Sequence, residues 1–185
     1  MAYSVPPPAG AYTAMSPMTP ATQPTKGVGK AMIILYWLTT TFAFLAALAF
    51  FRRKNVWDGL FAGTSEPSDV DSADTFVALT VLPGVALLIA GAVLSIIWWQ
   101  RAAARSRIGG GSVGSLIAPW IVLFAIGFVL LVAARVVLNV DDNNIIDELG
   151  SVSGKLRNQG ILALIGAIFY AGATVMAMRA VKRVD

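Results

Sequence analysis

The chain has 185 residues, 57% of them hydrophobic and 13% charged, with a formal net charge of +4 and a mean hydropathy of +0.72. It contains no cysteine and no histidine, which excludes disulfides and thiolate chemistry and removes the commonest general base and the usual zinc and haem ligands. That inventory points away from a soluble enzyme, and no catalytic residue, cofactor or metal is expected.

Residues 1–30, MAYSVPPPAGAYTAMSPMTPATQPTKGVGK, hold six prolines, no acid, and no base before Lys26. Prolines at this density disfavour helix and favour extended or polyproline II backbone. A segment of that kind loses little entropy on ordering, so the tail is expected to serve as a docking strap for a groove on a partner, with Tyr12, Met15 and Met18 as its apolar anchors.

Beyond the tail, four apolar runs stand out at 31–51, 76–99, 116–138 and 160–178. Each approaches the roughly 20 residues a helix needs to cross a bilayer core about 30 Å thick, and none is the one-sided stripe of a soluble helix. The expected fold is all-α: an integral membrane four-helix bundle over residues 31–185, preceded by the extended tail. Thirty residues precede the first run, which speaks against a cleavable signal peptide despite the small-x-small site at Ala47-Leu48-Ala49. Thr39, Thr40 and Thr41 inside that run are expected to return their hydroxyls to carbonyls one turn earlier.

The first connection, 52–75, opens with KNVWDGLF, in which Val56, Trp57, Leu60 and Phe61 form a short amphipathic stripe suited to the membrane interface. Asp69, Asp71 and Asp74 follow in a polar stretch. It lacks the glycine and closing glutamate of an EF-hand, so it reads as a solvated acidic loop rather than a calcium site. In the second run, Gly84, Gly91 and Ser95 offer a small-residue packing face, and Pro83 is placed near the start of the span. The second connection, QRAAARSRIGGGSVGS, is basic and then glycine-rich, which suits a hinge; it lacks the lysine of a P-loop.

Arg135 is the ionisable residue within a span. It lies about 22 Å along the helix from Trp120, near the far interface, where it can snorkel, pair with an acid, or grip a lipid headgroup. The third connection places Ile145, Leu149, Val152 and Leu156 on one helical face, as in a short surface helix turned toward the membrane or a neighbour. In the fourth run, Ala163, Ala167 and Ala171 recur every fourth residue, with Gly160, Gly166 and Gly172 nearby, a face suited to packing within the bundle or against a partner.

Orientation follows from the bases. Lys26, Lys30, Arg101, Arg105, Arg107, Arg179, Lys182 and Arg183 fall on one side of a four-span chain; Arg52, Arg53, Lys54, Lys155 and Arg157 fall on the other. The positive-inside rule then puts both termini in the cytoplasm. Trp98, Trp99 and Trp120 would join the aromatic belt on that side, and Trp57 the belt opposite.

The segment SIIWWQRAAARSRIGGG and the basic end MRAVKRVD, with the proline-rich tail and four apolar runs, resemble an uncharacterised actinobacterial family of four-span membrane proteins. The likeness covers mainly residues 76–110 and 160–185. The third run keeps only Ala118-Pro119-Trp120 of that family's tryptophan- and proline-rich pattern. The resemblance implies no activity; it implies bacterial membrane company, for which accessory helices of respiratory electron-transport supercomplexes are the nearest class.

Two functions are carried forward. The first is a non-catalytic accessory subunit that contacts other integral membrane subunits and lipids through the tail, Trp57, Arg135 and the alanine face of the fourth run. The alternative is a self-contained homo-oligomeric channel or small-solute transporter. No nucleic acid or small-molecule substrate is indicated.

Overall fold

The computed structural model describes residues 25–109, 114–136 and 149–184. The tail with Tyr12, Met15 and Met18, the GGGS hinge and most of the third connection lie outside the described residues. Within them the chain forms four helices: α1 (Lys26–Phe61), α2 (Pro67–Gly109), α3 (Gly114–Val136) and α4 (Leu149–Val184). All four are long and apolar enough to cross a membrane, and the chain is a multi-pass membrane protein built as an all-α bundle.

The helices run up and down. One buried cluster joins the start of α1 (Met32, Tyr36), the end of α2 (Trp98, Ala102), the start of α3 (Ile117, Trp120) and the end of α4 (Ala177, Ala180, Val181). We call this the terminal end, because residues 25 and 184 lie there, and the opposite end distal. Neighbouring packing runs α2 to α1, α1 to α4 and α4 to α3. The seam between α2 and α3 is where the bundle is least closed.

Three of the helices extend well past the apolar runs. At 1.5 Å per residue, the 36 residues of α1 and α4 span about 54 Å, against a bilayer core of roughly 30 Å. The first connection is therefore a turn at 62–66 rather than a loop over 52–75. Its geometry is local. Gly63 adopts φ 68°, while its N–H donates to Leu60 O at 3.2 Å and that of Thr64 to Gly59 O at 2.8 Å, the pair of bonds that defines a Schellman end. Then α2 opens with Pro67 in its first turn, and the Glu66 N–H donates to Asp69 Oδ2 at 2.9 Å, half of a capping box.

The stripe at Val56–Phe61 accordingly does not lie flat in the interface. Trp57 and Leu60 pack with Val152 and Leu156 of α4 and Val70 of α2, forming a small core beyond the apolar runs. The apolar face foreseen at Val152 and Leu156 is real but is spent on this chain's own helices. Asp69, Asp71 and Asp74 sit on the first turns of α2 rather than on a loop. Pro83 is likewise not near a helix start, because α2 begins at Pro67. It interrupts the hydrogen-bond ladder in mid-helix.

Small residues set the helix spacing. A Cβ on Gly127 would lie 3.0 Å from Gly166 O, and one on Gly166 would lie 3.1 Å from Gly127 O, so the α3 and α4 backbones approach through paired glycines. Gly91 faces the Tyr36 ring at 3.0 Å in the same test, and Ser95 exchanges a hydrogen bond with the Tyr36 hydroxyl. The Gly91/Ser95 face therefore seats a tyrosine of α1. Thr39, Thr40 and Thr41 donate to Leu35, Tyr36 and Trp37 carbonyls at 2.9, 2.8 and 3.0 Å. Thr40 also meets Thr174 of α4 at 3.0 Å.

Candidate functional site: a lateral cleft with a charged rim

The terminal half of the bundle is filled by rings. Tyr36 lies 5.8 Å from Trp120 and 5.0 Å from Phe124, centroid to centroid, and Phe124 meets Tyr170 edge-on at 4.8 Å. Trp98 is fully buried and Trp120 nearly so. Neither therefore belongs to an interfacial belt; Trp99, half exposed, fits that role. Both side chains face into the bundle, in the cluster that joins all four helices.

The distal half is built differently. Facing residues on α1 are Thr39, Ala43, Ala46 and Phe50, and on α2 Thr80, Gly84 and Leu88; α3 contributes Phe128, Leu131 and Val132. These leave a cleft of about 190 Å³ between α2 and α3, floored by α1 and by Tyr170 of α4. Its lips, Val85, Phe128 and Val132, are exposed, so it opens sideways toward the bilayer. The wall is apolar even at its threonines: Thr39 bonds Leu35 O, and Thr80 bonds Phe76 O and Val77 O at 3.1 and 2.9 Å. Their hydroxyls are thus satisfied within their own helices.

At its distal end the cleft meets a second, more polar cavity of about 320 Å³ lined by Arg53, Asp74, Val77, Ala78, Val81, Leu82 and Arg135. Val81 and Arg135 line both. Arg53 is buried, its side chain 8% exposed, and its Nε lies 2.6 Å from Asp74 Oδ1, with Nη2 donating to Oδ2 at 3.4 Å. Of these two contacts the Nη2 one is a hydrogen bond, while Nε and Oδ1 meet as opposite charges without hydrogen-bond geometry. Beside it Arg52 donates to Ser72 at 3.4 Å and lies 5.4 Å from the Phe76 ring, a cation–π contact. Across the helix end, Lys54 pairs with Asp58. The Lys54 hydrogen bond holds the Asp58 carboxyl below its usual value, partial burial opposes this, and a hydrogen bond from Ser153 of α4 adds to it.

Of the residues singled out from sequence, Arg135 is exposed, lies in the last turn of α3, where a cation is favoured, and joins the cleft to its rim. Ala163 and Ala167 are fully buried, and Trp57 is 9% exposed. They are consumed by internal packing, since α4 needs close approach to both α1 and α3, and they are not surfaces for a partner. Ala171 is half-buried. Arg53, Asp74 and the cleft wall were not foreseen. Arg53 was hidden in the Arg52-Arg53-Lys54 triplet, whose single signal was an arginine one turn past a span facing an acid early in the next. Among the described residues, no group of three or more acids is placed to hold a metal ion.

Compared with known proteins, the chain matches no family model, no curated protein and no solved structure.

Proposed function

We propose that this protein is a non-catalytic accessory subunit of a larger bacterial membrane complex, with both termini in the cytoplasm. The observation that carries this reading is the unclosed α2–α3 seam. Two adjacent helices that turn to α1 and α4 rather than to each other leave exposed aliphatic flanks: Leu79, Leu82, Ile89 and Val93 on α2, and Val122, Val129 and Val136 on α3. Such flanks suit lateral contact with other membrane helices, where packing rather than water exclusion drives association. The resemblance to actinobacterial four-span proteins makes a respiratory supercomplex the first assembly to examine. The proline-rich tail is its docking strap.

A self-contained channel or transporter has weaker support. Among the described residues, Tyr36, Trp98 and Trp120 fill the terminal half, and the distal cleft opens to the side. Extraction in mild detergent followed by native electrophoresis and mass spectrometry tests the accessory reading. Co-migration with a larger assembly is expected, weakened when residues 1–25 are deleted; migration solely as a small homo-oligomer would contradict it.

A further inference from the structure

We infer that the distal cleft binds a neutral, lipid-soluble carbonyl compound: a slender apolar molecule whose carbonyl oxygen accepts a hydrogen bond from the Tyr170 hydroxyl. This goes beyond the accessory role and does not depend on it.

Among the described residues, the polar side chains lining the cleft are Thr39, Thr80, Arg135 and Tyr170. Three of them are already engaged. Thr39 and Thr80 donate to carbonyls of their own helices, and Arg135, at the distal end, has an interaction of its own. Tyr170 differs. It is 1% exposed, and its hydroxyl has no hydrogen-bond partner among the described residues. Leaving a buried donor unpaired is costly, so a ligand that brings the missing acceptor is favoured. Position brings that hydroxyl to the cleft. Side chains lean toward the N-terminus of their helix, and α4 starts at the distal end, so the Tyr170 ring leans toward the cleft whose floor it forms. Its neighbours include Ala43 and Ala167, in a cluster that Leu88 of α2 packs against. Beside such small residues, a slight swing of the ring turns the hydroxyl, otherwise closed to solvent, onto the ligand.

Depth and shape select the rest of the molecule. Tyr170 lies along α4 from Gly160, where the apolar run begins, by about 15 Å, half of a hydrocarbon core roughly 30 Å thick. A phospholipid keeps its polar head at the membrane surface, so a carbonyl at this depth belongs to a molecule with no charged head. A cavity of 150 Å³ lined by aliphatic and aromatic side chains admits a benzene ring, and a cleft of about 190 Å³ suits a single ring or a stretch of one chain. The exposed lips, Val85, Phe128 and Val132, let such a molecule enter from the lipid. An oxygen that only accepts is the better match. A ligand hydroxyl would bring a further donor among apolar walls, whereas a carbonyl is satisfied by the one O–H that Tyr170 offers.

The test uses the full-length protein in detergent micelles with two probes, methyl undecyl ketone, isotopically labelled at its carbonyl carbon, and tridecane, the hydrocarbon of the same length. Retention is measured against protein-free micelles. One ketone per chain is expected, held about tenfold more tightly than tridecane, the effect of one hydrogen bond, with its carbonyl carbon resonance moved downfield. Tyr170→Phe should remove both the preference and the downfield shift. Its thermal transition without ketone should stay at or above the parent's, because an unpaired buried hydroxyl is removed. Val85→Trp, which places a ring across the lip, should abolish retention of both probes while the thermal transition stays in place. Phosphatidylcholine should not compete. Equal retention of the two probes, or competition by phosphatidylcholine, would overturn the proposal and give the cleft to a lipid acyl chain; loss of the ketone as the protein self-associates would give it to a second copy. A preference that persists in Tyr170→Phe, a lowered transition in that variant, or unchanged retention in folded Val85→Trp would overturn it as well. None of these outcomes bears on co-migration with a larger assembly, so the two readings fail separately.

Discussion

The terminal and distal halves of this bundle use the same four helices to opposite ends. Toward the terminal end, Tyr36, Trp98, Trp120 and Phe124 close the centre and bring all four helices into one cluster. Toward the distal end, Thr39, Ala43 and Ala46 of α1 and Thr80 and Gly84 of α2 stand among the larger lining residues, and a cleft remains between α2 and α3. Side-chain volume at a few inward positions therefore decides where a membrane bundle is solid and where it can admit something from the bilayer. Since lipid tails are as apolar as leucine, burial alone supplies little drive for closure, and a gap persists wherever the inward residues are small.

The sharpest way to break this comparison is to empty the solid half. Trp98→Ala should cost about 3–5 kcal/mol, the range for removing a large buried ring, read as a lowered Tm in detergent. Val85→Ala on the open lip should stay within about 0.5 kcal/mol of the parent. Trp98→Phe refines the point. The Trp98 indole N–H has no hydrogen-bond partner among the described residues, so the ring's value is its volume. The phenylalanine variant should lie much nearer the parent than the alanine variant, because one buried unsatisfied donor is removed with the lost volume.

Next in size is the α3–α4 approach. Gly166→Ala puts a Cβ 3.1 Å from Gly127 O and should cost about 1–3 kcal/mol by overpacking, partly offset by the better helix propensity of alanine. Gly172→Ala, whose Cβ meets Leu123 at an ordinary 3.6 Å, should be neutral or slightly stabilising. At the rim, Asp74→Asn removes the partner of a buried guanidinium and should cost about 1.5–3 kcal/mol. Arg52→Gln, whose contacts are exposed, should cost much less.

The smallest effect is expected at Lys54–Asp58. Because the folded-state value of Asp58 lies below its usual one, its contribution is fully present above the ordinary carboxylate range. That contribution fades as pH falls through the depressed folded value. Asp58→Asn should lower stability by a few tenths of a kcal/mol at neutral pH, as for an exposed i,i+4 pair, with the difference from the parent vanishing under acid titration.

Most of the transmembrane architecture was legible in the sequence, because an unbroken apolar run near bilayer length has one stable form in lipid. The threonine back-bonds at Thr39–Thr41 were legible for the same local reason. Helix ends were not. Residues 52–61 carry charges that read as a connection, yet Trp57 and Leu60, three apart on one face, continue α1 and are claimed by Val152 and Leu156. The direction in which a ring points was hidden too. Tryptophan at a span end suits both a belt and a core, and only packing against Met32 and Ala177 decides for Trp98. The rim was illegible because Arg53 and Asp74 lie on separate helices. Their pairing exists only once the 62–66 turn brings those helices together.

The claim that the bundle is solid at one end and open at the other is tested most directly by pulsed dipolar spectroscopy in lipid nanodiscs. The chain has no cysteine of its own, so spin labels can be placed by substitution alone. One pair, at Val85→Cys and Val132→Cys, spans the cleft lips; the other, at Ile96→Cys and Ile121→Cys, joins exposed positions of α2 and α3 in the terminal half. A longer and broader distance distribution for the cleft pair than for the terminal pair is predicted. Equal separations, or a narrower distribution across the cleft, would contradict the account.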